Sequence, residues 1–446
     1  MGTDLSSQSE PGTAVDPLDR LAERLRSGTA TAGVVGLGYV GLPLLTAMRE
    51  NGFRVIGVDR DEAKIAQLAG GVSPIADVTD PQVAALEDGT FSAEPSPLAE
   101  ADVIVLCLPT PLTDGSPDLT MVLTAAEDVA RYLKPGTLVV LESTTYPGTT
   151  EELLRPILES SGLLAGRDFA LGYSPERMDP GQSVNTLENT PKVVSGLTER
   201  CTELVAAFYG RFVKHVVVAA SPREAEMAKL VENTFRQVNI ALVNELAILA
   251  HDLDVDIWEA LRVAATKPFG YLPFWPGPGV GGHCIAIDPT YLSWRAGQQL
   301  GYRIRSIEHA NEVNNRMPAY VVSRIGEALN ETGKPIKGSR ILVLGVAYKA
   351  GIDDLRESPS LGVMEGLLRK GADLSYADGY IPSISVTGTE LRSVRLDPET
   401  LAEQDCAVIL TAHPDVDYEE IVRSVPLVFD ARGVTTGMKA ENVVRL

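Results

Sequence analysis

A short apolar run at residues 32–35 leads straight into glycines at 36, 38 and 41, and from there into a stretch of helical character reaching about residue 51. Few folds accept such a junction. The first glycine permits a tight turn, the second lets a pyrophosphate reach the backbone, and the third allows a helix to pack closely on its strand. A helix opened in this way presents unbonded N–H groups and the positive end of its dipole, which suits a phosphate. The next strand, residues 54–59, ends in Asp59, 18 residues past Gly41 (59 − 41 = 18). A carboxylate there accepts hydrogen bonds from ribose hydroxyls and repels a 2′-phosphate, so the pattern favours NAD over NADP. Arg60 beside it works in the opposite sense. The expected cofactor turn is Gly36, Gly38, Tyr39, Val40 and Gly41, with Asp59 and Arg60 on the adenosine side.

The alternation continues with ADVIVLCLPTP (101–111), a helical pattern around 119–133 and GTLVVLEST (136–144). Strand and helix in turn imply a parallel sheet with helices on both faces. Residues 223–267 then run for 45 positions without Gly or Pro, with Ala225, Ala228, Leu230, Val231, Phe235, Val238 and Leu242 at helical spacing. The polar insert HDLDVD (251–256) divides this run into a long helix and a second one. A helix beyond the usual ~8–20 residues suggests a bridge between domains and a buried dimer contact. After a Pro/Gly-rich loop at 268–289 and more helix to about 330, a second α/β pattern begins. Its strands fall within 338–349, 372–378, 405–413 and 427–432, with a helix at 358–370. The expected fold is α/β: two Rossmann-like parallel-sheet domains joined by a long central helix and helical region. The division is a tail and short helix (1–28), a first sheet domain (29–218), a helical domain (219–328) and a second sheet domain (329–446).

Charge narrows the partners. There are 39 Lys and Arg against 60 Asp and Glu, a formal net charge of −21. Nucleic acid and anionic membrane are excluded as general partners, and an acidic substrate needs a locally basic pocket. Cys107, Cys201, Cys284 and Cys406 share no close spacing, so neither a disulfide framework nor a cysteine zinc site is expected, and no metal is. The first twenty residues are polar and acidic, and no run approaches 18 apolar residues. No signal peptide or membrane span is therefore expected, and the reading is cytoplasmic. Met1-Gly2 with Ser6 fits an acylation pattern that is short enough to arise by chance.

GPGVGGHCIAIDP (277–289) places Cys284 in a glycine-dense stretch, where backbone can approach a ligand and a thiol stays accessible. Asp288 lies four residues on. Lys229 and Asn233, spaced i, i+4, share a helix face. A thiol, an ammonium, an amide and a carboxylate suffice for covalent capture and proton transfer at a carbonyl. Spacing alone leaves the plainer alternatives open, a solvated helix lysine and an ordinary buried thiol. His283 adjoins the thiol, but neighbours in extended chain point opposite ways, against a Cys–His pair. Cys107, Cys201 and Cys406 fall in strand or helix patterns and read as packing. So do Trp258, Trp275 and Trp294, with Trp275 a candidate wall for a sugar pocket.

GVVGLGYVGLPL, LPTPL, ESTTYPGTTEE, YSPERMDPG, EMAKLVENTFRQVNIALVNELA, PGPGVGGHCIAIDP and YKAGIDDLRESPS occur in that order. Together, over about residues 30–435, they resemble the UDP-glucose/GDP-mannose dehydrogenase superfamily, the nucleotide-sugar 6-dehydrogenases. The resemblance implies an NAD-binding Rossmann domain, a central dimer helix and a C-terminal domain holding a nucleotide-diphosphate sugar. It makes Cys284 the nucleophile, with Lys229, Asn233 and Asp288 handling protons and the oxyanion. Glu176 and Thr144 match the positions that organise water. Thr110, Thr145 and Arg356 match cofactor contacts, and Arg177, Gly281, Lys349 and Arg432 match substrate contacts. The implied reaction is a four-electron oxidation of the sugar C6 to a uronate through a thiohemiacetal and a thioester. GGHCIxIDP with SPERxDPG is more similar to the branch acting on UDP-N-acetylhexosamines than to the GGSC branch acting on UDP-glucose. UDP-glucose or another nucleotide-glucose such as dTDP-glucose is the alternative substrate. A two-electron β-hydroxyacid dehydrogenase is a remote alternative, opposed by Cys284 and the second α/β domain, and a non-catalytic NAD-binding regulator is another. Trp275 and Ala286 depart from the family's tyrosine and proline.

Overall fold

The computed structural model describes residues 16–75, 77–178 and 185–446, without the side chain of His283. The acylation pattern at Met1–Ser6, the end of the YSPERMDPG motif and the orientation of His283 lie outside the described residues. The chain divides into two compact units, residues up to 110 with 119–226, and residues 111–118 with 227–446.

The first unit opens with helix α1 (Pro17–Ser27), capped by the Asp16 carboxylate on Leu18 N. Strand β1 (Thr31–Val35) then feeds α2 (Gly41–Glu50), followed by β2 (Arg54–Val58), β3 (Thr90–Ser92), β4 (Val103–Leu106), α3 (Thr120–Tyr132) and β5 (Leu138–Leu141). The unit's remaining strands are β6 (Ala170–Tyr173), β7 (Lys192–Gly196) and β8 (Val216–Val218). The sheet order is β8-β7-β6-β5-β4-β1-β2-β3. All described pairs are parallel except β6 with β7, where Gly172 faces Gly196. β1, β4 and β5 are buried at every position, as continuous apolar strands covered on both faces must be. One face packs Met48, Phe53, Phe208 and Phe212, the other Leu106, Val122, Val139 and Tyr173. Strand order reverses between β1 and β4, and that crevice is where such sheets take a ligand.

Helix α4 (Pro222–Asp252) starts in the first unit and runs on in the second. Asp254 and a cap from Asp256 separate it from helix Ile257–Ala264, which is the break read from HDLDVD. The second unit then has α5 (His283–Leu300), α6 (Arg305–Glu331), β9 (Arg340–Leu344), α7 (Pro359–Arg369), β10 (Asp373–Ala377), β11 (Cys406–Ile409), β12 (Val428–Asp430) and β13 (Val443–Arg445). Its parallel sheet has the order β10-β9-β11-β12-β13, a doubly wound arrangement whose own reversal lies between β9 and β11. The α/β reading with two Rossmann-like sheets holds.

The expected loop over 268–289 needs correction. Helix α5 begins at residue 283 and carries Pro289 within it, so Cys284 lies in a first helical turn. Glycine density and an internal proline hid this start, since both normally argue against helix.

Candidate active site

In the first unit Gly36 has φ 92°, and a Cβ there would lie 2.4 Å from the Cys107 carbonyl oxygen. A Cβ on Gly41 would lie 1.9 Å from Gly36 O, whereas one on Gly38 would meet nothing within 4 Å. The outer glycines thus serve packing, and the middle one leaves open space. Val40, at the N-cap of α2, offers no side-chain cap, so the helix end is free to serve a ligand, and Tyr39 and Val40 are half-buried beside it. Asp59 accepts from Leu37 N at 2.8 Å, Lys64 Nζ at 2.6 Å and Asp61 N at 3.0 Å. Burial pushes its pKa up, but these donors outweigh it and hold the carboxyl below its ordinary value. Arg60 is turned to Asp128 at 3.0 Å, and the cation at Asp59 is Lys64 instead. The sequence reading missed Lys64. The helix capped by Asp61 was the available signal, because it turns Lys64 back toward Asp59.

Beyond β4 and β5, Thr110 Oγ1 donates to Thr144 O at 2.9 Å, and Thr145 is buried with a hydroxyl that has no partner among the described residues. An orphaned hydroxyl, an uncapped helix and the open space at Gly38 together fit a polar phosphate-bearing cofactor such as NAD. Glu176 Oε1 accepts from the N–H groups of Arg177 and Met178, and its Oε2 faces Lys192 Nζ at 3.4 Å. Lys192 is ion-paired with Glu142, both buried, and Cys107 Sγ donates to Glu142 at 3.5 Å. Burial drives the Cys107 thiol far above its ordinary pKa. Arg177 donates to Pro191 O at 2.6 Å. Neither Lys192, Glu142 nor the buried Glu226 was singled out from sequence. Glu226 accepts from Gly148 N, Thr150 N and Thr150 Oγ1, yet burial pushes its carboxyl up to about 7.

In the second unit Gly282, φ 76°, caps α5, and Cys284 is the second residue of that helix. A Cβ at Gly281 would lie 2.6 Å from Tyr348 Cβ, and one at Gly282 2.7 Å from the Tyr348 ring, so the glycines are needed for close approach. Cys284 is exposed and the other three cysteines are buried, none of them in a disulfide. A helix N-terminus favours the thiolate, and so does the Arg356 guanidinium, which lies within electrostatic reach of the thiol. Arg356 donates to both oxygens of Asp354, from Nε to Oδ1 and from Nη2 to Oδ2.

One turn along α5, Asp288 is buried, accepting from Asn233 Nδ2 at 2.6 Å, with Oδ1 unpartnered among the described residues. Burial raises its pKa to about 7, against the pull of the Lys229 charge and the Asn233 bond. Lys229 and Asn233 are themselves buried, which overturns the plain reading of Lys229 as a solvated helix residue. The structure therefore gathers Cys284, Lys229, Asn233, Asp288 and Arg356 in one unit, and places Gly36–Gly41, Asp59, Thr110, Thr144, Thr145, Glu176 and Arg177 in the other. Lys349 is half-buried in the turn after β9, and Arg432 lies against Gly277. Trp275 stacks on Trp258 at 6.1 Å between centroids.

The raised carboxyls have a measurable consequence. Folded Asp288 retains a proton that the unfolded chain releases near pH 4, so its stabilising share is full below that pH and is lost as pH rises toward about 7. Asp288→Asn should remove roughly 1–3 kcal/mol of that decline between pH 5 and 8, read from urea midpoints without substrate. Glu226 supplies a second share of the same sign, so some slope remains. An unchanged slope would show that Asp288 is ionised throughout.

A sheet with an intact dinucleotide turn, in a chain that also sets a thiol at a helix N-terminus among a buried lysine, amide and carboxyl, defines a nicotinamide-dependent α/β oxidoreductase. The chain belongs to the UDP-glucose/GDP-mannose dehydrogenase family, matching its NAD binding domain over residues 30–213, its central domain over 223–316 and its UDP binding domain over 342–437. It is an NAD-dependent nucleotide-sugar dehydrogenase. It is 38% identical to Protein CapL of Staphylococcus aureus over 413 residues, covering 90% of this chain and 95% of that one. It is 37% identical to the UDP-N-acetyl-D-glucosamine 6-dehydrogenase of Pseudomonas aeruginosa over 351 residues, covering 78% and 82%. A solved UDP-D-ManNAc dehydrogenase from Pyrococcus horikoshii superposes with a TM-score of 0.83 at 33% identity, covering 93% of this chain and 98% of that one. Among the described residues no helix is long and apolar enough to cross a membrane.

Proposed function

We propose that the protein oxidises the C6 hydroxymethyl of a UDP-N-acetylhexosamine to the uronate, through a thiohemiacetal and a thioester on Cys284. The observation that carries this reading is the exposed Cys284 at a helix N-terminus, one turn from buried Asp288 with Asn233 and Lys229. The sugar class is supported by the GGHC loop and by the two relatives whose names state an N-acetylhexosamine.

Gly36, Gly38, Tyr39, Val40 and Gly41 would hold the cofactor pyrophosphate, Asp59 the adenosine ribose with Lys64 and Arg60 nearby, and Thr110 and Thr145 the nicotinamide end. NAD supplies a hydride acceptor for each of the two oxidations. Lys229 and Asn233 donate to the oxygen on C6 as it gains negative charge. Asp288, poised at about 7, takes the hydroxyl proton. The Cys284 thiolate adds to the aldehyde, because an aldehyde is a poor hydride donor until it becomes tetrahedral. Water then attacks the thioester carbonyl, the C–S bond breaks, and the thiolate leaves. Glu176 already accepts from three donors, so we assign it with Thr144 to holding water and Asp288 to receiving the proton. Arg177, Gly281, Lys349 and Arg432 are assigned to the substrate, and Arg356 to the cofactor and the Cys284 thiolate.

The division of labour follows the four segments 1–28, 29–218, 219–328 and 329–446. On α4, Val231, Phe235, Leu242 and Leu249 are exposed at spacings that keep them on one stripe, and we assign that stripe to a second copy in a cytoplasmic homodimer.

Complete turnover should yield two NADH per uronate, counted by absorbance against product by mass spectrometry across a panel of nucleotide sugars. One NADH with aldehyde as end product would sink the four-electron reading. Wild type should prefer NAD, and Asp59→Asn should narrow the kcat/KM ratio to NADP by about tenfold, since it removes a charge facing the 2′-phosphate and frees Lys64 to meet it. Equal wild-type use of both cofactors would overturn that assignment.

A further inference from the structure

Within the second unit a chain of amides, three buried (Gln237, Asn244, Asn314) and one half-buried (Asn311), ties down both ends of the segment that carries Cys284. Asn244, on α4 and fully buried, accepts from Gly277 N at 2.9 Å and donates to Asn314 Oδ1 on α6 at 3.0 Å. Asn314 Nδ2 reaches back to the Gln237 carbonyl at 3.4 Å. The Gln237 side chain donates to Asn311 Oδ1 at 2.6 Å, and Asn311 donates to Thr290 Oγ1 at 3.2 Å. Gly277 opens the glycine loop before Cys284, and Thr290 lies two residues past Asp288. Between these anchors Gly282 N donates to Arg356 O at 3.0 Å and α5 begins at residue 283. Gly279 at φ 135° and Gly282 at φ 76° are turns, however, and Pro289 cannot donate a helical hydrogen bond. Helix α4, which supplies Asn244 and Gln237, also supplies Lys229 and Asn233. Apolar packing would hold these helices together equally well, but it would not fix their register as directional bonds do, and each unpaired buried amide would be costly.

We propose that Asn244, Gln237, Asn311 and Asn314 are positioning residues that set the Cys284 and Asp288 turn of α5 against Lys229 and Asn233 on α4. This rests on the reading of Cys284 as nucleophile. Uncharged amides suit the task, because a charged group here would disturb the nearby Asp288.

The test compares Asn244→Ala, Asn244→Asp and Thr290→Val in the full chain, all assayed well below their melting temperatures. Asn244→Ala should lower kcat on the order of 10²-fold, the effect of about an ångström of misplacement, with little change in KM. Asn244→Asp keeps an acceptor for Gly277 N but loses the donor to Asn314 Oδ1 and adds a buried charge, so it should lose at least as much as Asn244→Ala. Thr290→Val, nearly isosteric, should still lower kcat severalfold. In each variant the pH midpoint for iodoacetamide alkylation of Cys284 should move, a readout that lost stability alone leaves in place. If Cys284→Ser is inactive while Asn244→Ala and Thr290→Val melt earlier but keep kcat and the alkylation midpoint, the network is only structural and this inference fails alone. Near-wild-type uronate formation by Cys284→Ser would overturn both this inference and the reading it rests on.

Discussion

Cys284→Ser should still bind NAD and the nucleotide sugar but lose uronate formation by on the order of 10⁴–10⁶-fold, the range seen when single members of a catalytic triad are removed. Serine keeps the size, yet its hydroxyl ionises far less readily than a thiol of pKa ~8.5. The first oxidation does not require the thiol, so the variant should stop at bound aldehyde or trap a slowly hydrolysed ester. Alkylation gives an independent check. Iodoacetamide near neutral pH should label one site, because Cys284 is exposed whereas Cys201 is fully buried, and burial drives the Cys107 thiol far up and the Cys406 thiol to about 12. Substrate should protect that site, as peptide mass spectrometry can map. Near-wild-type turnover by the serine variant, or protection at another cysteine, would remove the covalent mechanism.

What could be read from the sequence was what local pattern determines. The turn after β1 needs its three glycines, and β1, β4 and β5 are apolar runs because both their faces are covered, so these strands and β2 were visible, whereas β6, β7 and β8 were not read. The long helix was visible from its unbroken periodicity. The three-residue strands β3 and β13 carry too little pattern to be noticed. The start of α5 was concealed by glycines whose purpose is to let Tyr348 approach, a contact made across more than sixty residues of chain. Lys229 shows the same limit, since spacing gave it a face but only packing decides that the face is buried. Arg60 was singled out for its adjacency to Asp59, whereas helix geometry delivers Lys64. The roles of Cys284, Asp288 and Glu176 came from the family's motifs rather than from spacing; hydrogen bonding gives Asp288 and Glu176 physical content, and exposure at a helix N-terminus does so for Cys284.

Lys192→Met should be the most destabilising single change in the first unit outside its apolar core. The ammonium is buried between Glu142 and Glu176 and lies 5.1 Å from the centre of the Tyr209 ring. Removing it leaves Glu142, almost without exposed surface, with only the weak donor Cys107 Sγ among its described contacts. Breaking one partner of a buried ion pair typically costs about 3–5 kcal/mol, whereas replacing both with neutral groups is often close to neutral. At roughly 2–4 °C per kcal/mol for a unit of this size, the melting temperature should fall by about 10 °C. Lys192→Met with Glu142→Gln should recover most of that loss, since the fully buried charge is gone and Glu176, more exposed, keeps its two backbone N–H donors. The sign with pH follows from the stranded carboxyl. In the single variant its folded pKa lies above its unfolded value, so stability is fuller at low pH and declines as pH rises. Urea midpoints should therefore separate the single variant from wild type more widely at pH 8 than at pH 5, with the double variant close to wild type at both. Equal midpoints for Lys192→Met and wild type at pH 8 would mean that water reaches Glu142 and that the pair contributes no more than a surface salt bridge.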